Sequence, residues 1–514
     1  MRFGTVGRAI CLIAGLAIVW IATQTPALAQ VRATPPGTQM TTFNPRVHGF
    51  KFPNTFTNDI VFDIRTGGLC GGMIYAALDF YHASRAIPPN IDYRPATGTV
   101  LERFLFQRQI NTFEGNADKW AELSFNPRGV RNREFFRWGL QGTGGGRLQE
   151  LRELIDRGEP VPLGLRHHAG HDDRPGDHQV LAIGYTMGGY RGDLGANQAD
   201  LRIYIYDPNR PNLTMTLVPD LATGTYYYLN IAADDREEVR WLTYFVDTNY
   251  QRRAPPTITE TNLGPNDGRV RELIVEFVTG DDDLRGGSDN VSVTINYHSF
   301  ASQVVRNVNR GFRWIGNYNQ FVPIALRTPV RPESIASIVV TTNFGGGLGG
   351  DNWDLKMLLV RARGGGADRM FMHLSGRPLV RFTGSVRSYT ASLRWLLLDL
   401  RTGATGLPGG SVNMNVIVIY RGRPAQTLNN VNAGNAWRPN TSRTLAFLLD
   451  QTVRLTSVSL ISRYARGATT GAWDMSSLKL RLRENGSERI VFERRGSPLF
   501  GFTPSRRSYL ARIR

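Results

Sequence analysis

Apolar and polar positions change their period along the chain. Met73, Ala77, Phe80 and Tyr81 fall on one face at helical spacing, which predicts a buried helix with Cys70 in its first turn. Leu148, Leu151, Leu154 and Ile155 form a second such stripe within 147–157. Residues 178–185 and 201–206 read as buried strands. Residues 273–278, 291–295 and 337–342 are β-branched, partly alternating and bounded by Gly, Asn or Asp, which predicts further strands. Trp120, Phe135, Phe136 and Trp138 are expected to fill the interface between helical and sheet layers.

The strand-rich half repeats itself. Thr279-Gly280, Gly286-Gly287-Ser288, Asn307-Val308-Asn309 and Trp314 recur 123 positions later as Thr402-Gly403, Gly409-Gly410-Ser411, Asn430-Val431-Asn432 and Trp437. Trp353-Asp354, Gly376 and Phe382-Thr383 recur 120 positions later. Copies of about 120 residues are long enough to be separate domains, so a solenoid is not expected. Two all-β sandwich domains are predicted, 257–392 and 393–514. Adjacent Pro255 and Pro256 mark the linker before them. The Thr-Gly-Asp turn and following strand at 279–291 resemble those of PLAT (lipoxygenase-homology) sandwiches. That resemblance implies lipid, membrane or protein partners, with calcium in some cases.

Composition adds a location and a charge. With 41% hydrophobic and 20% charged residues, neither a disordered chain nor a coiled-coil rod is expected. Arg2 and Arg8 precede an apolar run from Ala9 to Ala22, and the small-x-small sequence Ala27-Leu28-Ala29 follows it, the pattern of a Sec-type signal peptide over 1–29. The protein is therefore expected to be secreted or periplasmic. Of the two cysteines, Cys11 lies in that leader, which leaves Cys70 as a lone thiol in an oxidising compartment.

The formal charge of +18 is uneven. Residues 30–254 carry 25 basic and 25 acidic groups, 255–393 carry 15 and 12, and 394–514 carry 19 and 6. Arg481, Arg483, Arg489, Arg494, Arg495, Arg506, Arg507, Arg512 and Arg514 make the second repeat a candidate face for an anionic lipid, glycan or cell-wall surface. An inert solubilising surface fits the same charge. No nucleic-acid signature accompanies it, so no specific nucleic-acid partner is expected. In the first repeat Asp281, Asp282, Asp283 and Asp289 gather four carboxylates in one turn, a candidate calcium site. Asp is also favoured in turns for conformational reasons. The aligned positions of the second repeat, Ala404, Thr405, Gly406 and Val412, lack such ligands.

Cys70 is the centre of the candidate chemistry. It stands between Gly67-Gly68 and Gly71-Gly72 at a helix start, where the helix dipole favours an anion and glycines leave backbone N–H groups open to an oxyanion. A thiol nucleophile needs a base and an orienter. His178 opens one predicted strand and Asp207 closes the next, so adjacent pairing would bring both to the thiol. A structural histidine and a small buried cysteine are the plainer alternatives.

At these residues the chain resembles papain-like cysteine peptidases, in the bacterial variant that uses Asp as third member, as in leader-cleaving bacteriocin peptidases. The resemblance implies Cys70 as nucleophile, His178 as general base and Asp207 as orienter, with Asn209 as substitute, a peptide or protein substrate, and no catalytic cofactor. The family's upstream Gln is replaced here by Ile64, and Asn58 or Gln179 is the candidate oxyanion donor instead. The expected fold class is thus an α+β papain-like domain over 30–254 followed by two all-β sandwich domains. Transglutaminase-like acyl transfer uses the same residue order, and a non-catalytic binding scaffold remains the competing class. His167, His168, His171, Asp172, Asp173 and Asp177 form a His/Asp-rich loop, read as a flap over the cleft rather than a zinc site.

Overall fold

The structure, a computed structural model, describes residues 37–61, 64–168, 176–229, 239–345, 350–449, 453–467, 469–484 and 486–513. The signal segment 1–29 lies outside them. The N-terminal unit runs β1 (Thr38–Met40), α1 (Pro45–His48), β2 (Thr57–Val61), β3 (Ile64–Gly67), α2 (Cys70–His82), α3 (Val100–Ser124), α4 (Asn132–Leu140), α5 (Arg147–Asp156), β4 (Val161–His167), β5 (His178–Thr186), β6 (Arg202–Tyr206), β7 (Thr214–Asp220), β8 (Thr225–Tyr228) and β9 (Trp241–Val246). Strands β4 to β9 pair in sequence order, and β9 returns to β4 with Leu163 opposite Val246. The sheet therefore closes into a six-stranded antiparallel barrel, with β1 added along the far end of β5.

Alternation within the barrel strands explains the packing. Val180 and Ala182 of β5, Ile203 and Ile205 of β6, and Leu163 and Leu165 of β4 join one core with α5 residues Leu148, Leu151 and Ile155. The opposite phase of β5, Leu181 and Ile183, packs with Met73, Ile74 and Ala77 of α2. Phe135 meets Leu123, Leu242 and Phe245, with Trp120 and Trp138 against them, so these aromatic residues do lie between helices and sheet. Helix α2 comes very close to its neighbours: a Cβ on Gly71 would fall 1.5 Å from Gln179 Oε1, and one on Gly72 would fall 2.1 Å from the Leu105 carbonyl oxygen.

The C-terminal half holds β10 (Val270–Thr279), β11 (Val291–Tyr297), β12 (Gln303–Val305), β13 (Asn319–Val330), β14 (Ile335–Thr342), β15 (Trp353–Gly364), β16 (Ala367–Phe382) and β17 (Ser388–Ser392). It continues with β18 (Trp395–Thr402), β19 (Asn413–Tyr420), β20 (Gln426–Leu428), β21 (Ser442–Leu448), β22 (Leu455–Arg463), β23 (Trp473–Glu484), β24 (Ser487–Phe502) and β25 (Ser508–Arg512). These make four sheets of four strands, in orders β13-β10-β15-β16, β12-β11-β14-β17, β21-β18-β23-β24 and β20-β19-β22-β25. The repeated Trp and Phe stack in both copies, Trp353 on Phe382 at 5.3 Å and Trp473 on Phe502 at 4.3 Å between ring centroids.

The expected fold class, an α+β papain-like domain followed by two all-β sandwich domains, does not stand. Strands make up 43% of the chain and helices 16%, the N-terminal strands form a closed barrel, and the remaining strands are spread over small sheets. Period and composition locate single strands. They carry no signal for the closing pair β4–β9, whose members are far apart in sequence, nor for how strands divide among sheets.

Candidate functional site

Antiparallel pairing puts the start of β5, the end of β6, the end of β8 and the start of β9 on one rim of the barrel. His178, Asp207, Tyr228 and Trp241 gather there, all buried. His178 Nε2 lies 2.8 Å from Asp207 Oδ1, and the imidazole stacks on Trp241 at 5.8 Å between centroids with 20° between planes. Tyr228 donates its hydroxyl proton to Asp207 Oδ2 at 2.9 Å, and the Asn209 backbone N–H donates to Asp207 Oδ1 at 2.8 Å. Asn209 Nδ2 is 3.4 Å from His178 Nε2. Asp207 is thus the residue that holds the ring, and Asn209 braces Asp207.

Cys70 is the first residue of α2, and the packing of α2 on β5 brings it, half-buried, to the same rim. With Nε2 committed to Asp207, Nδ1 is the ring nitrogen left for the thiol, and Cys70 and His178 line the same two cavities. Burial alone would lower the His178 pKa. The Asp207 charge and hydrogen bond, joined by Cys70, outweigh it and push the imidazole up to about 10. Burial likewise works against the Asp207 carboxylate, but His178, the Asn209 N–H and the Tyr228 hydroxyl hold its pKa below the ordinary value.

These shifts predict a pH dependence of stability. A histidine raised above its ordinary 6.5 contributes stability that is full below that value and is lost as the pH rises through about 10. The denaturant midpoint should therefore fall between pH 6.5 and about 10, and fall less in Asp207→Asn. Parallel slopes for the two proteins would contradict the pairing.

The cysteine opens on two cavities. One, of about 780 Å³, is lined by Asn54, Cys70, Arg166, His178, Asn209 and Trp241 among others. The other, of about 410 Å³, shares Cys70 and His178 and is walled by Phe106, Ile110, Phe113 and Trp120. The first mixes polar and charged side chains with apolar ones, and the second is mostly apolar.

Of the two oxyanion candidates, Asn58 stands in β2 opposite Thr66, and its side chain lies outside the described residues. Gln179 is buried between α2 and α3, where its Oε1 accepts from Thr112 Oγ1 at 3.1 Å. Sequence reasoning missed Asn54. Its Oδ1 accepts the Leu69 N–H at 2.6 Å, its own N–H donates to the Pro208 carbonyl at 3.0 Å, and a Cβ on Gly68 would lie 2.7 Å from its Nδ2. Asn54 therefore joins the helix start that carries Cys70 to the segment that carries Asp207. Nothing in the sequence signals it, because the link spans 15 residues on one side and more than 150 on the other. Tyr228 and Trp241 were also missed, since their roles follow from barrel closure.

The acidic turn of the first repeat does not converge on one point. Asp281 Oδ1 accepts from Asn317 Nδ2 at 3.2 Å, Asp282 pairs with Arg381 at 2.5 Å, and Asp283 pairs with Arg313. Among the described residues no group of three or more His, Cys, Asp or Glu side chains is placed to hold a metal ion. Calcium at this turn would have to displace two arginines, and Asp289 joins no such group. In the His/Asp-rich loop, Asp177 pairs with Arg166 at 2.6 Å, while His171, Asp172 and Asp173 lie outside the described residues.

In the second repeat Arg481 and Arg483 are committed to Asp399 and Glu488, while Arg489 and Arg495 reach Glu484 and Glu493. Arg494, Arg506, Arg507 and Arg512 are exposed with no carboxylate partner among the described residues, and Arg514 lies outside them. Among the described residues no helix is long and apolar enough to cross a membrane. Set against known proteins, the chain matches no protein-family model, no curated protein and no solved structure.

Proposed function

We propose that the protein is an exported thiol hydrolase that cleaves a peptide or amide bond through Cys70, His178 and Asp207. The observation that carries this reading is the His178–Asp207 hydrogen bond on the two cavities that Cys70 also lines. His178 takes the thiol proton on Nδ1, and Cys70 Sγ forms a bond to the carbonyl carbon. The C–N bond then breaks as His178 returns the proton to the leaving nitrogen. Water, deprotonated by His178, attacks the thioester and releases the acid and the free thiol. The apolar cavity suits a bulky apolar group of the substrate next to the scissile bond.

The test is acylation by p-nitrophenyl acetate. A burst of p-nitrophenol matching the protein concentration is expected, with one acetyl group on Cys70 that clears on standing and is absent in Cys70→Ala. Faster clearance with an added amine, giving the acetylamide, would favour transferase over hydrolase. No burst, or acetyl elsewhere, would contradict the proposal.

The second repeat is proposed to hold the enzyme at an anionic surface, supported by its exposed arginines that have no carboxylate partner among the described residues. Changing Arg494, Arg506, Arg507 and Arg512 together to Gln should weaken retention on heparin. An unchanged elution salt would contradict that role.

A further inference from the structure

We infer that the first repeat is a working part of the catalytic site: through Tyr318 and Asn319 it fixes the segment 54–57, so that Asn54 can align the start of the cysteine helix. The inference rests on the thiol acyl-transfer reading proposed above.

The contacts form a short chain. Asn54 ties Leu69, the residue before Cys70, to Pro208, the residue after Asp207. Its neighbours on the C-terminal side are held from the first repeat. The Thr57 N–H donates to the Tyr318 hydroxyl at 3.0 Å. Arg94, only 4% exposed, donates to the Thr55 carbonyl and to the Asn319 carbonyl, and reaches Asn319 Oδ1 at 2.5 Å. Its guanidinium lies 4.0 Å from the centre of the Tyr318 ring. Beside them Gln320 Oε1 accepts the Thr97 N–H at 3.0 Å, and Phe321 packs into the core that contains α2.

The two repeats differ at these positions. Thr279 N–H donates to the Tyr318 carbonyl, and Thr402 N–H donates to the Thr441 carbonyl, so 318 and 441 are equivalent. The first copy has Tyr318, Asn319, Gln320 and Phe321 where the second has Thr441, Ser442, Arg443 and Thr444. The common scaffold does not require the clamp residues. They occur in the copy that touches the Asn54 segment.

A segment braced this way would hold a donor in place before the reaction starts, and that preorganisation is what oxyanion stabilisation demands. Asn54 Oδ1 is used by Leu69, and Nδ2 lies beside Gly68 at the mouth of the cleft. We assign Asn54 as a positioning residue and Tyr318 and Asn319 as its supports.

The test uses the full chain and two reagents. Iodoacetamide reports the nucleophilicity of Cys70, and p-nitrophenyl acetate also requires an oxyanion to form. Asn54→Ala should cut acylation by roughly 10²-fold, the scale of losing one oxyanion donor. Tyr318→Phe, which keeps the ring under Arg94, and Asn319→Ala should each cut it by roughly five- to twentyfold, a fraction of that loss. Alkylation should stay within about twofold of wild type, a split that general unfolding would not produce. Wild-type acylation rates in Tyr318→Phe and Asn319→Ala, with Cys70→Ala inert, would overturn the clamp and leave the hydrolase reading intact. Failure of wild type itself to acylate at Cys70 would overturn both.

Discussion

Replacing His178 with alanine is expected to slow acylation of Cys70 by roughly a thousandfold, within the range of about 10² to 10⁴ that a positioned general base contributes. The loss is large because one ring performs two tasks. It takes the thiol proton and later delivers it to the leaving group; His167 and Asp177 also line the larger cavity, but the hydrogen bond to Asp207 is made by His178. His48 and His82 are not among the residues lining either cavity. Asp207→Ala should cost less than His178→Ala, since the ring would stay stacked on Trp241 while losing its charge partner. The measurement is the single-turnover rate with p-nitrophenyl acetate, with far-UV circular dichroism to show that the fold is kept. A His178→Ala rate within tenfold of wild type would remove His178 from the chemistry.

The largest expected loss of stability lies behind the site. Asp79 of α2 and Arg108 of α3 form an ion pair at 2.8 Å, with exposures of 0% and 1%. Tyr250 donates to Asp79 Oδ1 at 2.8 Å, the Arg253 N–H donates to the same oxygen at 2.9 Å, and Arg108 reaches the Gln251 carbonyl at 2.9 Å. Burial raises the Asp79 pKa, with these partners opposing it. Asp79→Ala strands a buried guanidinium and should destabilise the protein by about 3–5 kcal/mol. Replacing both partners with apolar residues of similar volume, Asp79→Leu with Arg108→Met, should recover much of that loss. Urea unfolding measures both. A loss below about 1 kcal/mol in Asp79→Ala would mean that solvent reaches the pair as it does at a surface bridge.

The same cluster shows what the sequence could and could not reveal. The double proline at 255–256 reads in the sequence as a linker. That this linker is fastened to the first unit is not legible there: Arg85 donates to the Pro255 and Pro256 carbonyls, and Asp79 and Arg108 take up Tyr250 to Arg253. Local period places a helix with Cys70 in its first turn, observed as Cys70–His82, and the strands beginning at His178 and ending before Asp207, because helix stripes and strand runs are properties of neighbouring residues. Barrel closure, the Trp241 stack, the Tyr228 hydrogen bond and the Asn54 link join segments far apart in sequence, and no local pattern announces them. The acidic turn illustrates the converse limit. Four carboxylates within nine positions look like a ligand set, yet Arg313, Asn317 and Arg381 arrive from elsewhere to engage three of them.

The central claim is that Cys70 is a nucleophile activated by His178. Its most direct test is titration of residues 30–514 with a thiol-directed epoxide, read by intact mass beside Cys70→Ala and His178→Ala. One probe per protein chain in the wild type, and none in either variant, is the predicted result. Equal labelling of wild type and His178→Ala, or no labelling of any protein, would contradict it.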